Sequence, residues 1–291
     1  MLNKQNVLLT GGTGSFGRAF ISRVLKEYPQ INKLVVFSRD ELKQYELSQI
    51  YDPKKIDSIR YFLGDVRDLD RLNIALKDID VVVHAAALKQ VPAGEYNPFE
   101  FIKTNIIGAQ NILHACINNK VKKLIALSTD KASSPINLYG ASKLCADKLF
   151  IAAQNVFGSK NFKISIVRYG NVFASRGSVI PYFLKQKENK TITVTDKKMT
   201  RFNLFLEDGV KTVLWALKNA AGGEVIIPKA PSIKILDLAK IIGKNSKIKI
   251  IGKRPGEKIH EELISENESN FTIDVGKYFV ILPEAAYEKK L

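Results

Sequence analysis

The feature that most restricts the fold of this chain is a rhythm. Short β-branched runs at Val7–Thr10, Leu34–Phe37, Ile59–Leu63, Val81–His84, Leu124–Leu127 and Ile164–Arg168 each precede a longer amphipathic or loop-like segment. Parallel strands require crossovers, and crossovers bury both faces of a sheet. The repeat therefore predicts an α/β fold: a doubly wound parallel sheet with ligands at the carboxyl ends of its strands. After about Gly170 the rhythm gives way to a basic, mixed region with strand-like Ile192–Val194, Glu224–Ile227 and Lys247–Ile251 and helix-like Glu207–Asn219. At 291 residues the chain exceeds the usual single-core size. The expected division is a sheet domain over residues 1–170 and a smaller lobe over 171–291, packed on the first and interleaved with it.

Composition excludes several classes. With 45% hydrophobic and 25% charged residues the chain is neither disordered nor fibrous. No apolar run approaches the roughly 20 residues of a membrane span, and Met1–Lys4 leads into Val7–Leu9 without a secretion signal, so a cytoplasmic protein is expected. Cys116 and Cys145 are expected as small core residues, and His84, His114 and His260 lack metal-ligand spacing. The net charge of +16 comes from scattered lysines without a basic block interleaved with aromatics, which fits attraction of anionic ligands or a solvated lysine-rich surface better than nucleic-acid binding.

The first strand runs into Thr10-Gly11-Gly12-Thr13-Gly14-Ser15-Phe16-Gly17, with glycines three residues apart before the helical positions Phe20, Val24 and Leu25. Glycines here permit a tight turn, approach of backbone N–H groups to a pyrophosphate, and close helix packing, so a dinucleotide site is expected. The second strand ends in Ser38-Arg39-Asp40, where an NAD site would usually present a carboxylate to the ribose. Arg39, with Lys43 a turn onward, suits a 2′-phosphate and favours NADP; the alternative is that both are solvated and Asp40 is a helix cap. Small residues around Asp65, Val66 and Ala85, after strands three and four, leave room for the rest of the cofactor.

Ser128-Thr129-Asp130-Lys131 follows the Leu124–Leu127 strand, and Tyr139 and Lys143 come next, four apart. On a helix that spacing puts both on one face, where a lysine favours the phenolate of a tyrosine whose unperturbed pKa near 10 makes it a poor base. The spacing alone is cheap, since Tyr51 and Lys55 share it. Asp130 and Lys131 are either an acid–base pair or an ion pair on a surface turn.

These motifs resemble those of the extended short-chain dehydrogenase/reductases. The segments Ser38–Gln44, Ala87–Pro92, Ser128–Ala132, Arg168–Val172, Ser175–Pro181, Met199–Phe202 and Arg254–Lys258 narrow the resemblance to the inverting UDP-N-acetylglucosamine 4,6-dehydratases that begin pseudaminic acid synthesis. It implies a Rossmann domain over residues 1–170 and a UDP-sugar lobe beyond, in a homo-oligomer. Cofactor residues by resemblance include Gly11, Thr13, Gly14, Ser15, Phe16, Gly17, Ser38, Arg39, Asp40, Glu41, Leu42 and Lys43, then Asp65, Val66, Ala85, Lys89, Tyr139 and Lys143. Substrate residues would be Lys89, Asn171, Val172, Arg176, Ser178, Arg201, Arg254 and Glu257, with the two arginines Arg201 and Arg254 on the diphosphate; either could instead make a structural salt bridge. Thr129, Asp130, Lys131, Tyr139 and Lys143 would be catalytic. Tyr139 would take the 4-hydroxyl proton as hydride leaves carbon 4; Lys131 would abstract the carbon-5 proton while Asp130 protonates the departing 6-hydroxyl; hydride would return to carbon 6. Retaining relatives carry glutamate at the position of Lys131, so this lysine implies inversion. Relatives also continue beyond a segment like Tyr278–Leu282, whereas this sequence ends at Glu288-Lys289-Lys290-Leu291.

Three other functions compete, the first being a retaining 4,6-dehydratase. A nucleotide-sugar 4-epimerase needs the tyrosine, lysine and cofactor but has no use for Asp130 and Lys131, and an NADP-sensing regulator would not need the tyrosine–lysine pair.

Overall fold

The computed structural model describes residues 1–158, 161–173, 175 and 177–283. The six expected strands are present as β1 (Asn6–Thr10), β2 (Lys33–Ser38), β3 (Ile59–Leu63), β4 (Val81–His84), β5 (Lys123–Thr129) and β6 (Lys163–Tyr169). They are followed by β7 (Asn171–Val172), β8 (Thr191–Val194), β9 (Thr200–Leu204), β10 (Val225–Pro228), β11 (Ser232–Lys234), β12 (Lys247–Ile250), β13 (Thr272–Asp274) and β14 (Tyr278–Ile281). The helices of the first half are α1 (Ser15–Glu27), α2 (Glu41–Ile50), α3 (Leu69–Ala75), α4 (Val91–Tyr96), α5 (Pro98–Phe101), α6 (Gly108–Asn118) and α7 (Leu138–Phe157). Those of the second half are α8 (Val179–Glu188), α9 (Leu206–Asn219), α10 (Ile235–Ile242) and α11 (Glu266–Ser269).

The main sheet has nine strands in the order β13-β14-β10-β6-β5-β4-β1-β2-β3. Pairing is parallel from β3 to β10, and β14 and β13 add an antiparallel edge. The winding reverses between β1 and β4, which opens a crevice at their carboxyl ends. Successive strand residues face opposite ways, so β1 feeds two cores. Leu8 joins Leu72, Ile112 and Phe150 under α3, α6 and α7, whereas Val7 and Leu9 join Phe20, Val24, Val213 and Leu217 under α1 and α9.

Beyond Gly170 the chain alternates between two places. A small third core of Phe183, Ile192, Val194, Met199, Ile235 and Ala239 is built with the parallel pair β8–β12, while a separate sheet runs β11-β9-β7. Between these excursions β10, β13 and β14 return to the main sheet and α9 packs on α1. Arg168, at the end of β6 and fully buried, ties the pieces together. Its Nη2 lies 3.4 Å from Asp147 of α7, and its Nη1 donates to Glu268 at 2.9 Å and to the Leu263 carbonyl at 3.2 Å. Removing one member of such a buried pair costs about 3–5 kcal/mol, because the remaining charge is left uncompensated.

Cys116 is buried as expected, but Cys145 is exposed. It lies one residue, about 100° of helix, from the buried Ala146, and the face of α7 that meets the sheet carries Ala146 and Phe150 instead. Among the described residues no helix is long and apolar enough to cross a membrane.

Candidate active site

A single cleft of about 1100 Å³ runs from the glycine turn over the carboxyl ends of β1, β4 and β5 to the second half of the chain. Gly11 stands at φ +66°, and a Cβ there would meet the Ala86 nitrogen at 2.9 Å, so the turn lies directly on the chain leaving β4. Thr10 fixes that contact. Its hydroxyl oxygen accepts from the Ala85 and Ala86 nitrogens at 3.1 and 3.2 Å and shares a 2.8 Å hydrogen bond with His84 Nδ1. Gly11, Thr13, Gly14, Ser15, Phe16 and Gly17 all face the cleft, and α1 starts at Ser15 with its N–H groups free for an anion.

At the rim Thr13 and Ser38 join hydroxyls at 2.9 Å, and Asp40 caps α2 by accepting from the Lys43 nitrogen at 3.0 Å. Lys43 pairs with Asp40 through its side chain as well. Arg39 is more loosely held. It lies 3.5 Å from Asp65, whose carboxylate Arg67 already holds at 2.8 and 3.1 Å, keeping Asp65 below the usual carboxylate range against the upward effect of its burial. Val66, Ala85 and Lys89 continue the wall, whereas Glu41 and Leu42 on α2 do not line the cleft.

The chemistry-bearing end is built on one turn. β5 runs straight into a single 3₁₀ turn over Asp130–Ala132, capped by Thr129. Asp130 is fully buried; its Oδ1 accepts from the Thr129 hydroxyl at 3.0 Å and from Lys131 Nζ at 3.0 Å, and its Oδ2 has no hydrogen-bond partner among the described residues. Lys131 Nζ also donates to Asn171 Oδ1 at 3.4 Å. The opening of α7 presses on this turn: a Cβ on Gly140 would lie 2.1 Å from the Lys131 carbonyl oxygen. Asn137 caps α7 by accepting from the Gly140 nitrogen at 2.8 Å.

Tyr139 and Lys143, one helical turn apart, both line the cleft. Burial pushes the Tyr139 phenol up, and the Thr129 hydroxyl opposes this by favouring the phenolate. Burial pulls the Lys143 ammonium down, with Asp147 opposing. Burial thus works against the charged form of each.

The remaining expected residues come from the second half of the chain. Asn171, Val172, Ser178, Arg201, Arg254 and Glu257 face the cleft, and Arg176 lies outside the described residues, as does the segment 284–291. Arg201 is buried and holds backbone instead of a carboxylate. Its Nη1 donates to Thr200 O at 2.7 Å and Ile259 O at 3.1 Å, and its Nη2 to Lys258 O at 2.9 Å. These bonds, with Asn137 Nδ2 to Gly256 O at 2.9 Å and Arg168 on the Leu263 carbonyl, fix residues 256–263 as a strap over the cleft.

Two cleft-side residues, Tyr169 and Glu261, and one behind the wall, Asn105, were not among those expected. Tyr169 ends β6, and its phenol is pushed up by burial and then by the nearby Tyr139. Glu261, on the strap, is buried 3.5 Å from Lys131 Nζ. Asn105, in a π-helical turn at Ile102–Ile107, exchanges two 2.9 Å hydrogen bonds with the Leu88 backbone and donates to Ser142 of α7 at 3.0 Å. A buried amide in an apolar stretch was a readable signal for Asn105.

His84 is buried beneath the site. Because Thr10 Oγ1 already accepts from two backbone N–H groups, its own proton goes to His84 Nδ1, and the ring is neutral. Burial, reinforced by the Lys143 charge, pulls the imidazole down to about 3. In the unfolded chain it titrates near 6.5, so between these values the unfolded state binds the extra proton and stability falls as pH drops through that window. His84→Gln is expected to flatten the decline of the urea midpoint between pH 6.5 and 4. An unchanged slope would assign the decline to other groups. Among the described residues no group of three or more His, Cys, Asp and Glu side chains could hold a metal.

The fold is a Rossmann-like, doubly wound α/β fold, shared with a dTDP-glucose 4,6-dehydratase, DesIV from Streptomyces venezuelae, at a TM-score of 0.78. Residues 7–283 match the model of the polysaccharide biosynthesis protein family, and the chain belongs to that family. It is 53% identical over 285 residues to the UDP-N-acetylglucosamine 4,6-dehydratase (inverting) of Campylobacter jejuni strain 81-176, covering 97% of this chain and 84% of that protein. The resemblance drawn from the sequence motifs is thereby borne out. A UDP-glucose 4-epimerase of Rickettsia akari is 44% identical over 289 residues, covering 97% and 84%. Among solved structures, Pen from Bacillus thuringiensis superimposes with a TM-score of 0.92 at 43% identity, covering 97% of this chain and 90% of that one.

Proposed function

We propose that the protein is an inverting UDP-N-acetylglucosamine 4,6-dehydratase that works with NADP. The observation that carries this reading is the Asp130–Lys131 turn, pressed against the helix start that bears Tyr139 and opening on the same cleft. An epimerase has no use for an acid and an amine at this place. The similarity to the Campylobacter enzyme points the same way.

The glycine turn, whose Gly11 admits no side chain, and the N-terminus of α1 fit a pyrophosphate; Thr13, Ser38 and Arg39 would hold the adenosine end of NADP. When bound, the cofactor accepts a hydride from carbon 4 of the sugar and returns it at carbon 6. Tyr139 takes the 4-hydroxyl proton. The resulting ketone acidifies the carbon-5 hydrogen. Lys131 Nζ donates to Asp130 Oδ1 at 3.0 Å, and transfer of that proton would turn the ion pair into an amine and a carboxylic acid, the base for carbon 5 and the acid for the 6-hydroxyl. Arg201 and Arg254 would serve the diphosphate and Asn171 and Glu257 the hydroxyls, a reading supported by their facing the cleft together with Lys89, Val172 and Ser178. The reading places the reaction at the start of pseudaminic acid synthesis, in the cytoplasm and in a homo-oligomer; its support there is the family resemblance.

Incubation with UDP-N-acetylglucosamine and mass analysis of the product tests the assignment. Loss of one water is expected; a product of unchanged mass would make the protein an epimerase, and no turnover would remove this substrate. Arg39→Asp is expected to weaken NADP binding far more than NAD binding, because a carboxylate there repels the 2′-phosphate. Equal changes in the two affinities, measured by calorimetry, would take Arg39 out of that role.

A further inference from the structure

The strap over the cleft carries three acids, Glu257, Glu261 and Glu262, and only Glu261 is buried. Its side chain is 3% exposed. Oε1 lies 3.5 Å from Lys131 Nζ. Oε2 is 3.8 Å from Lys258 Nζ, is enclosed, and has no hydrogen-bond partner among the described residues. Lys258 also donates to the Ser133 carbonyl at 2.7 Å. A carboxylate kept out of water with half its acceptors unused is costly and adds little to stability. Of the two cations beside it, Lys131 is the nearer and the one that lines the cleft.

We propose that Glu261 is a positioning residue for Lys131, fixing the direction of its nitrogen and supplying the fixed negative charge against which it takes up a proton. This rests on the dehydratase reading given above. An ammonium has three N–H bonds, and Lys131 has three acceptors around it: Asp130 at 3.0 Å, Asn171 at 3.4 Å and Glu261 at 3.5 Å. Once the proton facing Asp130 has moved, the amine keeps two N–H bonds. Asn171 accepts one of them and the Glu261 carboxylate faces the other at ion-pair distance, which disfavours rotation about the Cε–Nζ bond and leaves the lone pair in the direction used for proton transfer. Without Glu261 one N–H bond is unheld and the nitrogen swings. The charged and titratable groups around this nitrogen are Asp130 on its own turn, Glu261 and Lys258 from the strap, Tyr139 from α7 and Tyr169 from β6.

The test uses the NADP-loaded full chain with UDP-N-acetylglucosamine, comparing wild type, Glu261→Gln, Glu261→Asp and Lys131→Ala in kcat, KM and the pH dependence of kcat. Glu261→Gln keeps the shape and removes the charge. Its kcat is expected to fall by up to about 10²-fold with KM unchanged, as for a displaced catalytic group. The limb of kcat that rises with pH is expected to move to lower pH, because taking a carboxylate away from beside the Asp130–Lys131 pair makes an added proton there less stable. Glu261→Asp keeps the charge at a greater reach and is expected to lose kcat while the limb stays in place. A Gln variant with wild-type kcat and limb overturns the proposal, as do Gln and Asp variants that lose activity equally with the limb unmoved, since that marks a purely structural acid. If the Gln variant does not fold, the Asp variant decides: reduced kcat at unchanged KM supports the role, and wild-type kcat overturns it. Wild type that releases no water, or Lys131→Ala that dehydrates normally, defeats the functional reading itself and this proposal with it. Normal Glu261→Gln beside an inactive Lys131→Ala defeats the Glu261 role alone.

Discussion

Replacing Tyr139 with phenylalanine is expected to give a folded protein that retains its cofactor and turns over its sugar about 10²–10⁴-fold more slowly. The substitution removes one oxygen from the cleft wall and leaves the α7 cap at Asn137 and the Gly140 contact intact. On the function proposed above, what is lost is the acceptor for the 4-hydroxyl proton. In the protein alone burial holds this phenol in its neutral form, and the Thr129 hydroxyl works against that. Protonation of Lys143 on the same helix face would favour the phenolate further, so activity should rise as pH increases towards the phenol's titration and the variant should lack that rise. Circular dichroism and retained NADP establish that the variant is folded, and mass analysis measures turnover. Near-normal turnover by the folded variant would remove Tyr139 from the reaction.

The second large effect is expected at Lys131. Lys131→Ala should still bind nucleotide sugar and oxidise it reversibly at carbon 4, yet release water about 10²–10⁴-fold more slowly. Isotopes separate these steps. Wild type working in heavy water should place deuterium at carbon 5 and give the L-arabino 4-keto product, and substrate deuterated at carbon 4 should carry its label to the new methyl group. Unchanged elimination in the variant, or a product with the original carbon-5 configuration, would end the role given to Lys131 and leave only the broader dehydratase class.

Much of this was legible because the signals are local. Six strands announced themselves through β-branched runs, and the glycine turn and the Tyr139/Lys143 spacing sit within a few residues of each other in both sequence and space. Asp40 and Lys43 allowed two readings at the sequence level. The structure has Asp40 as the cap and Lys43 paired with it, and leaves Arg39 as the less firmly held cation at the rim. Glu261 was not legible, because it is 130 residues from Lys131 and identical in type to its neighbour Glu262. Which of the two acids turns inward depends on distant contacts: Arg201 on the Lys258 and Ile259 carbonyls, Thr200 on His260 and Ser134 on Glu262. The return of β10, β13 and β14 to the main sheet was equally invisible, since strand partners are chosen by tertiary packing and short apolar runs carry no label for their neighbours.

The contact at Gly140 has an evolutionary consequence. Because α7 and the Asp130–Lys131 turn touch backbone to backbone, the part that withdraws electrons from the sugar and the part that expels water form one mechanical piece. A lineage changing its reaction has no freedom to slide one against the other. It can change only the side chains on the turn, so 4-epimerases and 4,6-dehydratases of common descent should share the helix and its glycine and part company at two or three consecutive residues.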